Sequence, residues 1–252
     1  MRRRGLPTLN VTILTIFFVI LFALAGILIF YNYEKNSETA LLAAQELLTE
    51  VNNKVLQKTR LVFQPVYVLG NVLADTPDVA RRPTGFSHPL LGYLLEALRS
   101  APQIYSLYMG YDDGDFYQVI SFLGVYGSTR SALSAPPDAQ CAVRQIYQDR
   151  NGKRIEVWDF LDKDRKPVGP RIEKQAVYDP RKRPWYSLAD GADGLVKTNL
   201  YAFADVKALG LTFARRFVGE VSGVFGIDIT LEKLSQFLKK QQIGQTGLIR
   251  PR

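Results

Sequence analysis

The sequence predicts an α+β fold held at a membrane: a long N-terminal helix, then an antiparallel sheet with one or two covering helices, then a short exit helix. Three observations predict it. Leu9 to Tyr31 carries no charge over 23 residues. The stretch after it spaces apolar residues at helical intervals. From Ile104 onward the chain breaks into short alternating runs separated by Gly, Asn and Asp turns, as half-buried antiparallel strands do. Apolar residues make up 47% and charged residues 22% of the chain, which excludes a disordered protein.

At 1.5 Å per residue, Leu9 to Tyr31 makes roughly 35 Å of helix, enough to cross the hydrocarbon core. Arg2, Arg3 and Arg4 precede it, which by the positive-inside rule puts residues 1–8 in the cytoplasm. Tyr31 and Tyr33 suit the far interface. A cleaved signal peptide is the competing reading, because Ala23-Leu24-Ala25 resembles a cleavage site. Apolar residues run on to Phe30, which favours an uncleaved single-pass anchor over 9–31. Both readings put the rest of the chain outside the cytoplasmic membrane.

Leu41, Ala44, Leu48, Val51 and Val55 form one apolar seam on a helix expected from Glu34 to Gln64, where Pro65 disrupts it. The seam either packs on its own domain or pairs with a second copy to give a homodimer. Asp75-Thr76-Pro77-Asp78 signals a turn. Pro89 to Ser100 reads as an amphipathic helix with proline in its first turn. Ile104 to Tyr111 and Phe116 to Phe122 are strands joined at Asp112-Asp113-Gly114. Gly124 to Pro137 is a loop. Cys141 to Gln148 and Lys153 to Phe160 form a hairpin around Asp149-Arg150-Asn151-Gly152. Three further strands are expected over Leu195 to Tyr201, Leu209 to Phe217 and Val221 to Ile229. Thr230 can N-cap a closing helix from Leu231 to Lys240. Alternation along the strands implies one packed face and one partly open face.

Between these strands stands Tyr178-Asp179-Pro180-Arg181-Lys182-Arg183-Pro184-Trp185-Tyr186. The two prolines stiffen it and read as a loop, not a mid-helix piece. It offers aromatic walls together with a planar guanidinium that matches a carboxylate. The plainer reading is a surface turn with aromatics packed inward.

Several function classes find no support. The formal charge of +8 owes five arginines to the ends (Arg2, Arg3, Arg4, Arg250, Arg252), and the remaining excess is interrupted by acids, so no nucleic acid partner is implied. Cys141 is the only cysteine and allows no intrachain disulfide. His88 is the only histidine and has no triad or metal-site neighbours in sequence. Asp162-x-Asp164 with Glu173 mimics a calcium loop, but Pro167 stands where that loop needs glycine. Nucleophile-elbow, dinucleotide and P-loop motifs are absent. No catalysis, cofactor or metal is expected.

The anchor, the long helix, the Tyr-x-Asp-Gly-x-Phe hairpin from Tyr111 to Phe116, the Tyr178 to Tyr186 stretch and Gly-x-Asp-Ile-Thr from Gly226 to Thr230 together resemble the double Cache sensor domains. Those form the extracytoplasmic part of bacterial chemoreceptors, histidine kinases and nucleotide cyclases. The resemblance covers roughly Glu34 to Gly247. It implies a Cache domain over 34–240, built from a long dimerising helix and a PAS-like membrane-distal sheet, with 241–252 as the truncated start of a membrane-proximal module. Localisation follows: the bacterial cell membrane, with the main domain in the periplasm or outside the cell.

One branch of the family binds amino acids through a tyrosine, Arg-x-Trp-Tyr, a later tyrosine and an aspartate on the last strand. Tyr178, Arg183, Trp185, Tyr186, Tyr201 and Asp228 fill those positions in order. The resemblance implies that Arg183 takes the ligand carboxylate, Asp228 takes the ammonium with help from a tyrosine hydroxyl, and Trp185 forms a wall. Structural alternatives are core packing for Trp185 and Tyr186 and helix capping for Asp228. Leu200 stands before Tyr201 where the family often has proline. The final Leu248 to Arg252 departs from the family pattern, so a truncated receptor is expected. The contrasting reading is a periplasmic structural or partner-binding domain with an unused pocket; an exported hydrolase lacks a nucleophile–base pair.

Overall fold

A computed structural model describes residues 9–123 and 127–246. The expectations that fall on Arg2, Arg3, Arg4, Gly124 and Leu248 to Arg252 lie outside those residues. The chain divides into two compact units, one ending at Gln57 and one starting at Lys58.

In the first unit the described residues form one helix whose side chains are almost all exposed. It contains a stretch long and apolar enough to cross a membrane. The same helix, α1 (Leu9–Asp75), continues into the second unit and passes through Pro65. Proline was expected to end it, because it removes a backbone donor and clashes with the preceding turn. Tertiary packing overrides that penalty: Val62, Val66, Leu73 and Ala74 are buried on either side of the proline.

After a 3₁₀ turn (Pro77–Ala80), the second unit runs α2 (Leu91–Ser100), β1 (Ser106–Tyr111), β2 (Phe116–Ser121), α3 (Gly127–Ala132), β3 (Cys141–Gln148), β4 (Arg154–Leu161) and β5 (Ile172–Gln175). A second 3₁₀ turn (Pro180–Lys182) leads into α4 (Pro184–Asp190), then β6 (Val196–Lys197), β7 (Tyr201–Ala202), β8 (Leu209–Phe217), β9 (Gly223–Thr230) and α5 (Leu231–Thr246). The strands make one antiparallel sheet in the order β5-β4-β3-β2-β1-β9-β8-β6, with β7 also on β8. This is the α+β arrangement expected, a long apolar helix followed by an antiparallel sheet with flanking helices.

One face of the sheet packs Leu107, Met109, Val119, Phe225 and Ile227 against Val66 and Leu73 of α1 and Leu94 and Leu98 of α2. The other face, expected to be partly open, is covered at its centre. Every residue of β1 and β2 is buried, because Trp185, Tyr186 and Ala189 of α4 lie over Tyr108, Phe116 and Val224.

Other differences have local causes. β5 is exposed along Glu173, Lys174 and Gln175, so it has no apolar alternation to read; pairing with β4 makes it a strand. The strand expected over Leu195 to Tyr201 is split into β6 and β7. A six-residue helix, α3, stands inside the expected loop. The Thr230 cap is present, its Oγ1 accepting from the Lys233 amide at 3.1 Å. Residues 241–246 continue α5 as helix and do not open a second sheet.

Candidate ligand-binding site

The stretch from Tyr178 to Tyr186 is half loop, half helix. Asp179 caps the 3₁₀ turn by accepting from the Arg181 amide at 3.1 Å. Arg183 is extended, and Pro184 is the first residue of α4, where its missing N–H has no cost. Trp185 and Tyr186 are therefore in the first helical turn, a correction to the all-loop expectation.

Trp185 is buried edge-on to Tyr108, with ring centroids 4.8 Å apart. A side chain at Gly110 would collide with it, so the glycine is what lets the indole reach the sheet. Tyr178 packs on Phe116 at 5.0 Å. The Arg183 guanidinium lies between the rings of Tyr178 and Tyr201, at 5.9 and 5.8 Å, and its Nη2 donates to the Ala202 carbonyl at 3.3 Å.

Asp228 is in the middle of β9, directly opposite Ser106 on β1 and Thr212 on β8. Both hydroxyls donate to it, Ser106 Oγ at 3.1 Å and Thr212 Oγ1 at 2.5 Å; the Tyr108 hydroxyl adds a third bond at 2.6 Å. It does not cap a helix. Tyr201 reaches the same network through its hydroxyl, 2.6 Å from Thr212 Oγ1. Burial pushes the Asp228 carboxyl up to about 7, although the three hydroxyls pull the other way. Burial also raises the Tyr178 and Tyr201 hydroxyls, which stay protonated donors.

These groups meet. Tyr178, Arg183, Trp185, Tyr201 and Asp228 line one small hollow of about 20 Å³. It adjoins a cleft of about 560 Å³, with which it shares Arg144, Tyr178, Arg183, Ala204 and Asp205. Arg183 and Asp228, distant in sequence, thus face a common space.

Tyr186 is the exception. It is buried, but its hydroxyl donates to Asp112 Oδ1 at 2.5 Å and it lines neither cavity. Arg216 holds Asp112 from the other side at 2.8 Å and keeps that carboxyl low. Tyr186 therefore fastens α4 to the β1–β2 turn, and a direct role in binding is not what its geometry offers.

Arg144 and Asp205 line both cavities and were missed from the sequence. Arg144 is buried on β3, bonded through Nε to Glu156 Oε1 at 3.0 Å and surrounded by the rings of Tyr178, Trp158 and Phe116 at 4.5, 5.1 and 5.5 Å. An arginine between apolar neighbours in an alternating strand was the available signal. Asp205 is half-buried and comes from the loop between β7 and β8, where no pattern marks it. Its carboxyl accepts from Tyr105 and the Val206 amide at 3.3 and 2.9 Å. Burial raises it, and nearby Arg144 offsets part of that rise.

His88 lines neither cavity; burial lowers it to about 4, and it is bonded to the Leu90 amide, the Arg81 carbonyl and Tyr111. Among the described residues no cluster of His, Cys, Asp and Glu is placed to hold a metal. What the site can do is bind: it has a fixed cation, hydroxyl donors and buried carboxylates around an aromatic-walled space.

No family model matches the chain. It is similar to adenylate cyclase 1 of Rhizobium meliloti, 31% identical over 150 residues, covering 60% of the chain and 22% of that protein. It is also similar to the methyl-accepting chemotaxis protein McpB of Bacillus subtilis, 39% identical over 79 residues, covering 31% of the chain and 12% of that protein. The chain thus spans less than a quarter of the length of these curated relatives. Among solved structures, it is similar to the ligand-binding domain of the Pseudomonas fluorescens chemoreceptor CtaA in complex with L-serine, at 19% identity and TM-score 0.44, covering 75% of this chain and 60% of that one. The chain is thus similar in part to an adenylate cyclase and to a chemotaxis protein.

Proposed function

We propose that the chain is the membrane-anchored, extracytoplasmic ligand-sensing part of a bacterial signal-transduction receptor, and that it binds an amino acid or a similar small amine-carboxylate without catalysing a reaction on it. The observation that supports this most is the hollow shared by Arg183 and Asp228. A guanidinium at one side and a carboxylate at the other recognise the two ends of a zwitterion, and a molecule lacking either end leaves a buried charge unpaired. Tyr178, Trp185 and Tyr201 wall the space and add cation–π attraction for an ammonium. The adjoining cleft has room for a side chain.

In this reading 1–8 is cytoplasmic, 9–31 spans the membrane, and 34–240 is the sensor module. The seam from Leu41 to Val55 makes a homodimer contact.

The test is a thermal-shift screen of the full chain in detergent micelles against the common L-amino acids. A ligand at 100 times its dissociation constant stabilises by roughly 2.7 kcal/mol. Arg183→Ala removes that shift while leaving the unliganded midpoint near wild type, since the guanidinium is half-exposed. If sugars or dicarboxylates without an amine stabilise the chain and amino acids do not, the amine-carboxylate reading is wrong.

A further inference from the structure

Another cavity, of about 400 Å³, opens on the opposite face of the sheet from the hollow. Side chains alternate along a strand. On β3, Arg144 looks into the hollow, so its neighbour Gln145 looks the other way, and Tyr147 with it. Tyr111, which belongs to the core under α1 and α2, lines the same cavity. Arg82 covers it from the segment before α2, and Asp115 and Arg171 complete its polar lining. Arg171 immediately precedes β5, the edge strand of the sheet, and its side chain is 46% exposed, so solvent reaches the cavity there.

Its donors and acceptors do not balance. Asp115 is already taken: Arg82 Nη1 donates to it at 2.7 Å, and the same guanidinium holds Asp113. What remains is donors. Gln145 is 3% exposed, and its Nε2 has no partner among the described residues. A buried donor left unpaired is costly, and native structures hold few of them. Arg171 makes no hydrogen bond among the described residues. Its ion-pair partner Asp159 is 3.8 Å away, close enough to hold the guanidinium and too far to fill its donors. The Tyr147 hydroxyl is also without a hydrogen-bond partner among the described residues. An ammonium entering this space would find Asp115 occupied. A carboxylate would find a planar fork at Arg171 that matches its two oxygens, and lone pairs left over for an amide N–H and a phenol. Water can bond Gln145 but brings no charge to Arg171.

We propose that this cavity is a second ligand site, for a small organic monocarboxylate, in which Arg171 takes the carboxylate and Gln145 donates to one of its oxygens. The remainder of the ligand lies along Pro83 and the rings of Tyr111 and Tyr147. The site stands on its own observations and does not depend on the amine-carboxylate reading of the hollow. None of its residues belongs to the set running from Tyr178 to Asp228.

The experiment uses the full chain in detergent micelles, with thermal shift and calorimetric titration. Probes are acetate, propionate and benzoate, with propionamide as the neutral counterpart of propionate and inorganic phosphate as a different oxyanion. At least one carboxylate is expected to bind, with propionamide weaker than propionate. Arg171→Gln is expected to weaken the tightest carboxylate by about tenfold or more, the loss of a charged hydrogen bond. Gln145→Leu is expected to weaken it too, while the unliganded midpoint holds or rises, because an apolar group replaces an unpaired amide. That opposite movement of binding and stability is what a merely structural glutamine would not give. Should Gln145→Leu lower the midpoint, Arg171→Gln and the comparison of propionate with propionamide decide.

Arg183→Ala separates the two sites. Carboxylate binding that survives Arg183→Ala and is lost in Arg171→Gln supports the second site, whether or not any amino acid binds the hollow. Carboxylate binding lost in Arg183→Ala and kept in Arg171→Gln belongs to the hollow and overturns the proposal. Propionamide binding as tightly as propionate overturns it, and so does phosphate binding more tightly than every carboxylate. No response to acetate, propionate or benzoate means that water alone fills the cavity; it overturns the proposal and leaves the amine-carboxylate reading untouched.

Discussion

At the scale of the residue, the decisive group is Asp228. Its unfolded carboxyl titrates near 4 and its folded carboxyl at about 7. The folded state therefore holds the proton more tightly. That contribution to stability is fully present below about pH 4 and is lost as pH rises through about 7, on the order of a few kcal/mol. Asp228→Asn removes the titration. We expect its unfolding free energy, by urea denaturation in micelles, to vary less than wild type between pH 4 and 8, and to match or exceed wild type at pH 8. A variant that keeps the wild-type slope would place the titrating group elsewhere. Under the proposed function the same ionisation governs binding. A cationic ligand must displace the Asp228 proton below about pH 7, so affinity should fall toward tenfold per pH unit there and level off above it.

At the scale of the element, the site depends on two strands that approach ring systems without a side chain in the way. On β9, a Cβ at Gly226 would lie only 2.1 Å from Tyr108 Cε2. On β1, a Cβ at Gly110 would lie 2.7 Å from Trp185 Cη2. Tyr108 in turn donates to Asp228. Gly226→Ala must push the Tyr108 ring off its place, and we expect a loss of about 1–3 kcal/mol from overpacking, together with weaker ligand binding. Tyr108→Phe keeps the ring and removes only the hydroxyl, so comparing the two variants by denaturation and titration divides the packing effect from the hydrogen bond. Equal stability of Gly226→Ala and wild type would mean that the ring has somewhere else to go. The alternation that located these strands says nothing of such contacts, because it reports which face is apolar and not how near a neighbour comes.

At the scale of the whole molecule, the first unit presents Leu41, Leu48 and Val51 to solvent at 63%, 69% and 49% exposure. In a helix continuing from a stretch apolar enough to cross a membrane, we propose that a second copy covers this apolar surface. Replacing Leu41, Leu48 and Val51 together by serine should convert a dimer of the full chain to monomer in sedimentation in micelles, with little change in ligand affinity. A wild-type chain already monomeric would show that the seam is covered in some other way. The strong basic charge has a weaker consequence, because much of it comes from the arginines at the two ends.

The sequence by itself determined the α+β class, the apolar span, most strand positions and five residues that the fold brings to one hollow. The class, the span and the strands follow from periodicity and turn chemistry, which are local; the five residues follow from the resemblance to the amino-acid-binding Cache domains. It did not determine that α1 passes through Pro65, since only burial of Val62 and Val66 offsets the missing bond. Nor did it reveal that Tyr186 turns its hydroxyl to Asp112, or that Arg144 and Asp205 join the site from elements far apart in the chain. Which side chains share a cavity depends on strand order and register, and these are set by contacts between residues that no local pattern connects.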